Sequence, residues 1–562
     1  MKTKTLTKKS LSIVLILCLI VSCISFGMVT YSAATTITFT DNQGWGSNIY
    51  AYFWADGKVD LGGAWPGTKM GNPTANGYGQ TNYSCTIPSG ATYVIFTNGS
   101  DQTVDTTIGT SEGFYTNGTR DSAGHLYTFA FSSSGSSGGG TSGGTSGSYN
   151  LANNIQDGVI LHCFNWKYSQ IKDELPNIAS AGFTAVQTSP AQPAGTGSWY
   201  WSYQPFGFYV ASNALGTKDE LKSLCTAADS YGIKVVVDVV ANHLSNDHNR
   251  IQSDLRSSDF WHTFGSNINY YDRWQVTHGD IGMQDLTTEN SYVQSVVKGY
   301  IQELKDIGVD GIRFDAAKHI GLPSEGDNFF STTTSVSGLW YYGEILKGPD
   351  DRDSGNESLM KEYTNYISVT DSTYGRTLRE SFAGGYAPSA YANWGARGIS
   401  NNKLVYWAES HDTWSNGYDD GYSWGISQNN IDRAYAVAAS RSGATALYFS
   451  RPSSSNKDSI IQGQKGSTHF TSDEVAAVNH FHNAMIGQSE YYVTSNNCSV
   501  VCREKGAVIV AGSGSNKYVS VTNGGSTTKP GTYKDEITGN TWTVTSTTIS
   551  GTIGSSGIAV IY

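Results

Sequence analysis

Between residues 159 and 449, short apolar runs recur, each followed at once by polar or charged residues. The runs are Val159–Phe164, Thr184–Thr188, Lys234–Val240, Gly311–Phe314, Trp340–Ile345, Leu404–Ala408 and Thr445–Phe449. Near-continuous apolarity over so short a length reads as a strand buried on both faces, as in a parallel sheet. The strand ends, near Cys163, Ser189, Asp238, Asp315, Glu344, Asp412 and Ser450, fall mostly 26 to 49 residues apart, the length of one βα unit. The 68 residues from 344 to 412 suit two units and hide one weak strand. Eight units predict a closed (β/α)8 TIM barrel with its chemistry at the C-terminal ends of the strands. The 77 residues from 238 to 315 exceed one unit. They predict an inserted domain after strand 3, at about residues 244–292.

The barrel has flanking parts. Residues 132–148 are almost all Gly, Ser and Thr, which reads as a flexible linker with nothing to pack. Residues 35–131 alternate strand-like runs (Thr36–Thr40, Asn48–Trp54, Tyr83–Ile87, Thr92–Thr97, Leu126–Phe131) with turn dipeptides such as Ser89-Gly90 and Asn98-Gly99. They predict an N-terminal β-sandwich module. The barrel is assigned to 149–488. Residues 489–562 return to Val/Thr/Gly-rich runs and predict a C-terminal antiparallel β domain.

Residues 1–34 read as a signal peptide. Four lysines precede the apolar run Leu11–Ile24, and Ser32, Ala33 and Ala34 offer a cleavage site. Secretion is the expected outcome. The alternative is a lipid anchor at Cys23, in the run Ile20-Val21-Ser22-Cys23. No later stretch is apolar enough for a transmembrane segment. Five cysteines remain after the leader, and none has zinc-site spacing; small buried hydrophobes are the expected role. The formal net charge is −11, and more negative without the leader's lysines. Such a chain repels phosphate backbones, so no nucleic acid partner is expected. Aromatics make up 12% of residues, which suits neutral ligands with flat apolar faces, such as sugars. A monomer is expected.

Four clusters sit at strand ends: Asp238-Val-Val-Ala-Asn242-His243, Gly311-Ile-Arg313-Phe-Asp315-Ala-Ala-Lys318-His319, Gly343-Glu344-Ile-Leu and Glu409-Ser410-His411-Asp412. Asp315, Glu344 and Asp412 thus fall at the mouth of strands four, five and seven. Cleaving a glycosidic bond needs two carboxyl groups, one to attack or activate water and one to protonate the leaving oxygen. Arg313 and Asp315, two apart on a strand, face the barrel interior together. A guanidinium there favours an ionised Asp315. A lone strand-end Asp is usually a surface or capping group; four clusters in barrel order are not explained that way.

The four clusters resemble the signature regions of glycoside hydrolase family 13, the alpha-amylase family. Gly158–Trp166, Trp199-Tyr-Trp-Ser-Tyr-Gln-Pro205, Asp272-Arg-Trp-Gln-Val-Thr277 and Ala439–Gly443 resemble its Bacillus subtilis type subfamily. The resemblance implies a secreted, retaining, endo-acting enzyme that cleaves alpha-1,4-glucosidic bonds of starch, amylose, amylopectin and maltooligosaccharides. It implies that Asp315 is the nucleophile, Glu344 the general acid/base and Asp412 the holder of sugar hydroxyls. It places Tyr200, Tyr203, Gln204, His243, Arg313 and His411 around the cleaved residue, and Lys318 and His319 in the subsites beyond the cut. It also implies a structural calcium held by the Asn242 side chain, the Thr277 backbone oxygen, the Asp285 carboxylate and the His319 backbone oxygen. Ser410 stands where chloride-dependent relatives have Asn, so no chloride is expected.

In the front segment, Tyr50-Ala-Tyr52-Phe-Trp54, Ala64-Trp65-Pro-Gly67 and Thr97-Asn-Gly-Ser-Asp-Gln102-Thr resemble carbohydrate-binding module family 26, a starch-binding type. Alternation puts Tyr50, Tyr52 and Trp54 on one strand face. An exposed face would stack on glucose rings, with Trp65 beside it and Gln102 bonding hydroxyls. The competing reading is that these aromatics fill a sandwich core. Two other outcomes stay open for the whole chain: a maltogenic or transglycosylating enzyme, and a non-catalytic starch-binding protein.

Overall fold

The computed structural model describes residues 36–41, 43–55, 57–75, 80–108, 113–120, 123–131, 149–346, 357–389, 398–416 and 422–562. The leader, the lipid-anchor candidate Cys23 and the 132–148 segment lie outside the described residues. The chain divides into two compact units, up to Ser148 and from Tyr149 onward.

In the front unit, Ile37 and Phe39 from one sheet meet Ala51, Phe53, Val94 and Phe96 from a second sheet in one apolar cluster. Two sheets closed on a shared core make a β-sandwich. In strand Tyr50–Trp54, Ala51 and Phe53 take the core face, and Tyr50, Tyr52 and Trp54 the half-buried outer face. The core reading of these three aromatics is therefore wrong, because period-two alternation gives the core to their neighbours. Gly67 passes so close to the strand that a Cβ would lie 2.4 Å from the Ala51 carbonyl, and its φ is +91°. Only glycine fits there.

The second unit holds the barrel. Eight strands close in chain order, all parallel: Val159–Cys163, Ala185–Thr188, Lys234–Val240, Gly311–Asp315, Trp340–Gly343, Ser368–Thr370, Leu404–Trp407 and Thr445–Phe449. The weak strand hidden between 344 and 412 is the three-residue Ser368–Thr370. Helices cover the outside. Ser291–Ile307 shows why they form where they do. Asn290 caps its first turn by accepting from the Tyr292 N–H, and Gly308 ends it at φ 110°. Between the caps, Val293, Val297, Tyr300, Ile301 and Leu304 form the buried stripe.

Residues 241–290 leave the barrel after the third strand and return. They contain short helices and isolated bridges, and Leu244, Ile251, Leu255, Trp261 and Leu286 join the barrel's own apolar cluster. The excursion is thus an outgrowth of the barrel core.

From Glu490 the chain forms two four-stranded antiparallel sheets that share the cluster around Val500, Ile509, Trp542, Ile549 and Ile561. Arg503 donates to the carbonyls of Ser440, Met485 and Gln488, and Arg441 pairs with Glu490 at 2.8 Å. These bonds tie the sheets to the barrel helices. Cys163, Cys225, Cys498 and Cys502 are buried, Cys85 is partly so, and all five are free thiols. No helix among the described residues is long and apolar enough to cross a membrane.

Candidate active site at the barrel mouth

Register brings the site together. Asp238 on the third strand pairs with Arg313 on the fourth, and Arg313 and Asp315 project to the same side. The Arg313 Nη1 donates to Asp238 Oδ2 at 2.6 Å and to Asp315 Oδ1 at 2.9 Å; its Nη2 lies 3.0 Å from Glu344 Oε2. One buried guanidinium thus serves three buried carboxylates. Glu344 comes directly after Gly343, where a Cβ would lie 2.6 Å from Ile367 and 2.7 Å from Ala317. A side chain at 343 would push the fifth strand off its neighbours. Ala316 adopts left-handed geometry, φ 48°, and its N–H donates to Glu344 Oε2 at 3.0 Å. A non-glycine residue held there stores about 1–2 kcal/mol of strain, which the surrounding bonds must offset.

The sequence expectation that Arg313 simply keeps Asp315 ionised is modified by this sharing. Burial pushes Asp315 well above the ordinary carboxylate range; Arg313 pulls it down, and Glu344 and Asp238 push it up. Asp412 is driven up by burial, then by the charges of Glu344 and Asp315, and by a hydrogen bond with Glu344. The site therefore holds protons that isolated carboxyls would have lost. The neighbouring histidines go the other way. Burial lowers His243 to about 4, and burial, aided by Arg313 and His162, holds His411 well below the ordinary imidazole range. They are neutral hydrogen-bonding groups at working pH.

An aromatic cage closes the floor. Tyr203 stacks on His411 with ring centroids 5.0 Å apart, and Phe164 stacks on His411 at the same distance. Tyr203 donates its hydroxyl to Asp238 Oδ2 at 2.9 Å. Its carbonyl accepts from His243 Nε2 at 3.0 Å. That fixes the His243 tautomer and leaves Nδ1 a buried acceptor with no partner among the described residues. Tyr200 lies against Trp199 at the rim, and Gln204 is half-buried at the end of the same turn. His411 Nε2 is 3.4 Å from Asp412 Oδ2. Lys318 donates to the Leu346 carbonyl at 2.7 Å, one loop away from the carboxylates. Ser410 caps the short helix His411–Ser415, accepting from the Thr413 N–H. Three groups here have no role in the sequence reading: Asp238, His162, whose Nε2 is buried with no partner among the described residues, and the Ala316 N–H. Asp238 and His162 lie inside apolar strands, so only register reveals what they face.

Beside the site, Asn242 Nδ2 donates to Asp285 Oδ1 at 2.7 Å, and Asp285 Oδ2 lies 2.6 Å from His262 Nδ1. The Asn242 Oδ1 is buried and has no partner among the described residues. A buried oxygen acceptor beside a carboxylate fits a hard cation. Thr277 and His319 are also buried, and His319 Nδ1 bonds the Val276 carbonyl at 2.8 Å. Burial raises Asp285 to about 7, against the pull of His262.

On the front unit, Trp65 is 46% exposed and meets the Tyr52 edge at 5.4 Å. Trp54 stacks on Tyr93 at 4.3 Å. Gln102 bridges to Thr97, which pairs with Tyr50. Tyr50, Tyr52 and Trp54 thus share one strand face with Tyr93 on the neighbouring strand, which the sequence motifs do not single out, while Trp65 reaches Tyr52 from a nearby turn and Gln102 bridges to the edge of the same sheet.

Residues 167–341 match the family described as alpha amylase, catalytic domain, and residues 37–108 match starch-binding module 26. The first match covers Asp238, Arg313 and Asp315 and ends before Glu344. An alpha-amylase of Clostridium acetobutylicum is 34% identical over 439 residues, 73% of this chain and 55% of that protein. One from Butyrivibrio fibrisolvens is 31% identical over 479 residues, 73% of this chain and 47% of that protein. The chain spans about half the length of these relatives. Among solved structures, a maltohexaose complex of alpha-amylase I from Eisenia fetida superposes with a TM-score of 0.59 at 20% identity, covering 72% of this chain and 97% of that one. At such identity the likeness shows the fold.

Proposed function

We propose that the chain is a secreted, endo-acting, retaining alpha-amylase with a starch-binding module ahead of its barrel, a reading supported by the match of residues 167–341 to the alpha-amylase catalytic domain and of residues 37–108 to starch-binding module 26. Its substrates are starch and related alpha-glucans. The observation that carries this reading is the single guanidinium of Arg313 bonded to Asp315 and lying 3.0 Å from Glu344. Two carboxylates that share one guanidinium suit the ~5–5.5 Å separation of a retaining pair better than the ~6.5–9.5 Å of an inverting one.

Asp315 attacks the anomeric carbon while Glu344 protonates the leaving glycosidic oxygen. The glycosyl-enzyme is then hydrolysed by a water that Glu344 deprotonates. Arg313 offsets the charge on Asp315 before attack. Asp412, with His411 and His243, bonds the hydroxyls of the reacting sugar, and the free face of Tyr203 stacks on its ring. Tyr200 and Gln204 line the rim before the cut, and Lys318 and His319 the subsites beyond it. Calcium, when bound by Asn242, Thr277, Asp285 and His319, supplies a cross-link between the 241–290 excursion and the loop after the fourth strand. Tyr50, Tyr52, Trp54, Trp65 and Gln102 form the starch-binding face of the front unit.

Release of reducing ends from soluble starch tests the reading. Asp315→Asn and Glu344→Gln should each lower kcat at least about a hundredfold while starch adsorption persists, because each loses a group needed only in the transition state. An Asp315→Asn enzyme that kept a tenth of the activity would refute the nucleophile assignment. A wild-type chain that binds starch and releases nothing would point to the non-catalytic alternative.

A further inference from the structure

Three metal-capable side chains meet on the 241–290 excursion, away from the carboxylate cluster. His262, His278 and Glu289 place their donor atoms within 4.8 Å of one another. His262 Nε2 lies 3.1 Å from Glu289 Oε1, and His278 Nε2 lies 4.0 Å from the same oxygen. Both rings thus aim the same nitrogen at one point.

Their other nitrogens are already engaged. His262 Nδ1 lies 2.6 Å from Asp285 Oδ2, and His278 Nδ1 lies 3.0 Å from the Trp274 carbonyl. The His278 Nδ1 also lies 2.9 Å from the Thr277 hydroxyl; a carbonyl oxygen only accepts, so the tautomer that bonds Trp274 carries its proton on Nδ1 and presents a lone pair on Nε2. The Asp285 carboxylate fixes the His262 ring in the same sense. A ligating histidine whose second nitrogen donates to a carboxylate or carbonyl is the outer-shell arrangement that orients imidazoles on a metal. Trp274 stacks on His278 at 4.5 Å and the two histidine rings lie 4.2 Å apart, which fixes both ring planes.

We propose that His262, His278 and Glu289 form a transition-metal site, of the Zn2+ type, with an open fourth position for water. Two imidazoles and one carboxylate select a borderline ion over Ca2+, which takes oxygen ligands. In the metal-free chain the His262 Nε2–H is shared with Glu289; the metal takes that position and the proton goes to solvent. Metal–nitrogen bonds of ~2.0–2.1 Å put tetrahedral donors ~3.3 Å apart, so the cluster must contract slightly. Glu289 is free to turn inward, since its side chain is 38% exposed. The site would clamp the end of helix Arg273–His278 to the start of helix Ser291–Ile307. It is distinct from the Asn242–Asp285 oxygen site, though His262 touches both.

The test uses the full chain without a histidine tag, stripped of metal, reloaded with saturating Ca2+ and titrated with Co2+ as the spectroscopic probe. We expect one equivalent of Co2+ per chain, with the visible absorption of a four-coordinate nitrogen–oxygen centre. His278→Gln and Glu289→Gln should each weaken binding at least tenfold, with circular dichroism and Ca2+-dependent melting unchanged. Absence of Co2+ uptake by the Ca2+-loaded chain would overturn the proposal. So would uptake that neither substitution alters, which would put the metal elsewhere.

Discussion

As the proposed nucleophile, Asp315 would have to be ionised to attack, yet burial, Glu344 and Asp238 raise it against the pull of Arg313. Because its folded pKa is raised, protonation silences the nucleophile at a higher pH than for a free Asp. The acid limb of kcat/KM should therefore fall above the ordinary Asp range of about 3.9. Burial holds His243 at about 4 and His411 well below the ordinary imidazole range, so neither adds a limb near the ordinary value of about 6.5. A profile over pH 3–9 checks this; an acid limb at or below about 3.9 would count against the arrangement. At this scale the sequence displays the strand-end carboxyls and Arg313 but not the bond between Arg313 and Asp238. Arg313 and Asp315 are legible because they alternate on one strand. Asp238 is hidden in a valine run, and its bond to Arg313 follows from the pairing of two strands distant in sequence.

Among elements, the 241–290 excursion carries most of the proposed Ca2+ site. Its internal polar contacts converge on Asp285, which bonds Asn242 and His262 and bridges to His243. A bound Ca2+ at about a hundred times its Kd adds about 2.7 kcal/mol to stability. Chelation should lower Tm by roughly 3 °C, and Ca2+ alone should restore most of the loss. Asp285→Ala should resemble the chelated protein. A Tm indifferent to both would argue against the site. Seven of the eight barrel strands are legible because each is a run of four to seven residues, mostly buried and with apolar side chains prominent, that ends in polar or charged residues. Ser368–Thr370 is not, since three residues carry no period, and only the 68-residue gap betrays it. The excursion's length is also legible, whereas its merger with the barrel core depends on tertiary contacts of Leu244, Ile251 and Leu286.

At the scale of the whole molecule, the front unit closes its own core around Phe39, Phe53 and Phe96, and the barrel closes another. Deleting residues 35–148 should leave kcat/KM on short soluble maltooligosaccharides near that of the full chain. Adsorption to granular starch should fall at least tenfold, because a tethered module raises the local concentration of barrel at the polymer surface. Trp65→Ala with Tyr52→Ala should reproduce most of that fall, with little dependence on salt, since stacking rather than charge supplies the affinity. Undiminished adsorption after the deletion would remove the module's assignment. The composition of 132–148 makes the division legible. Which aromatics face outward needs the structure, since Phe53 and Trp54 differ only in parity along one strand.

The central claim is a covalent double displacement by Asp315 and Glu344. It is tested most directly by proton NMR of amylose hydrolysis, read before mutarotation sets in. Two inversions at the anomeric carbon predict that the α-anomer appears first and the β-anomer only later, as the solution equilibrates. A β-anomer appearing first would mean a single displacement by water and would contradict the account.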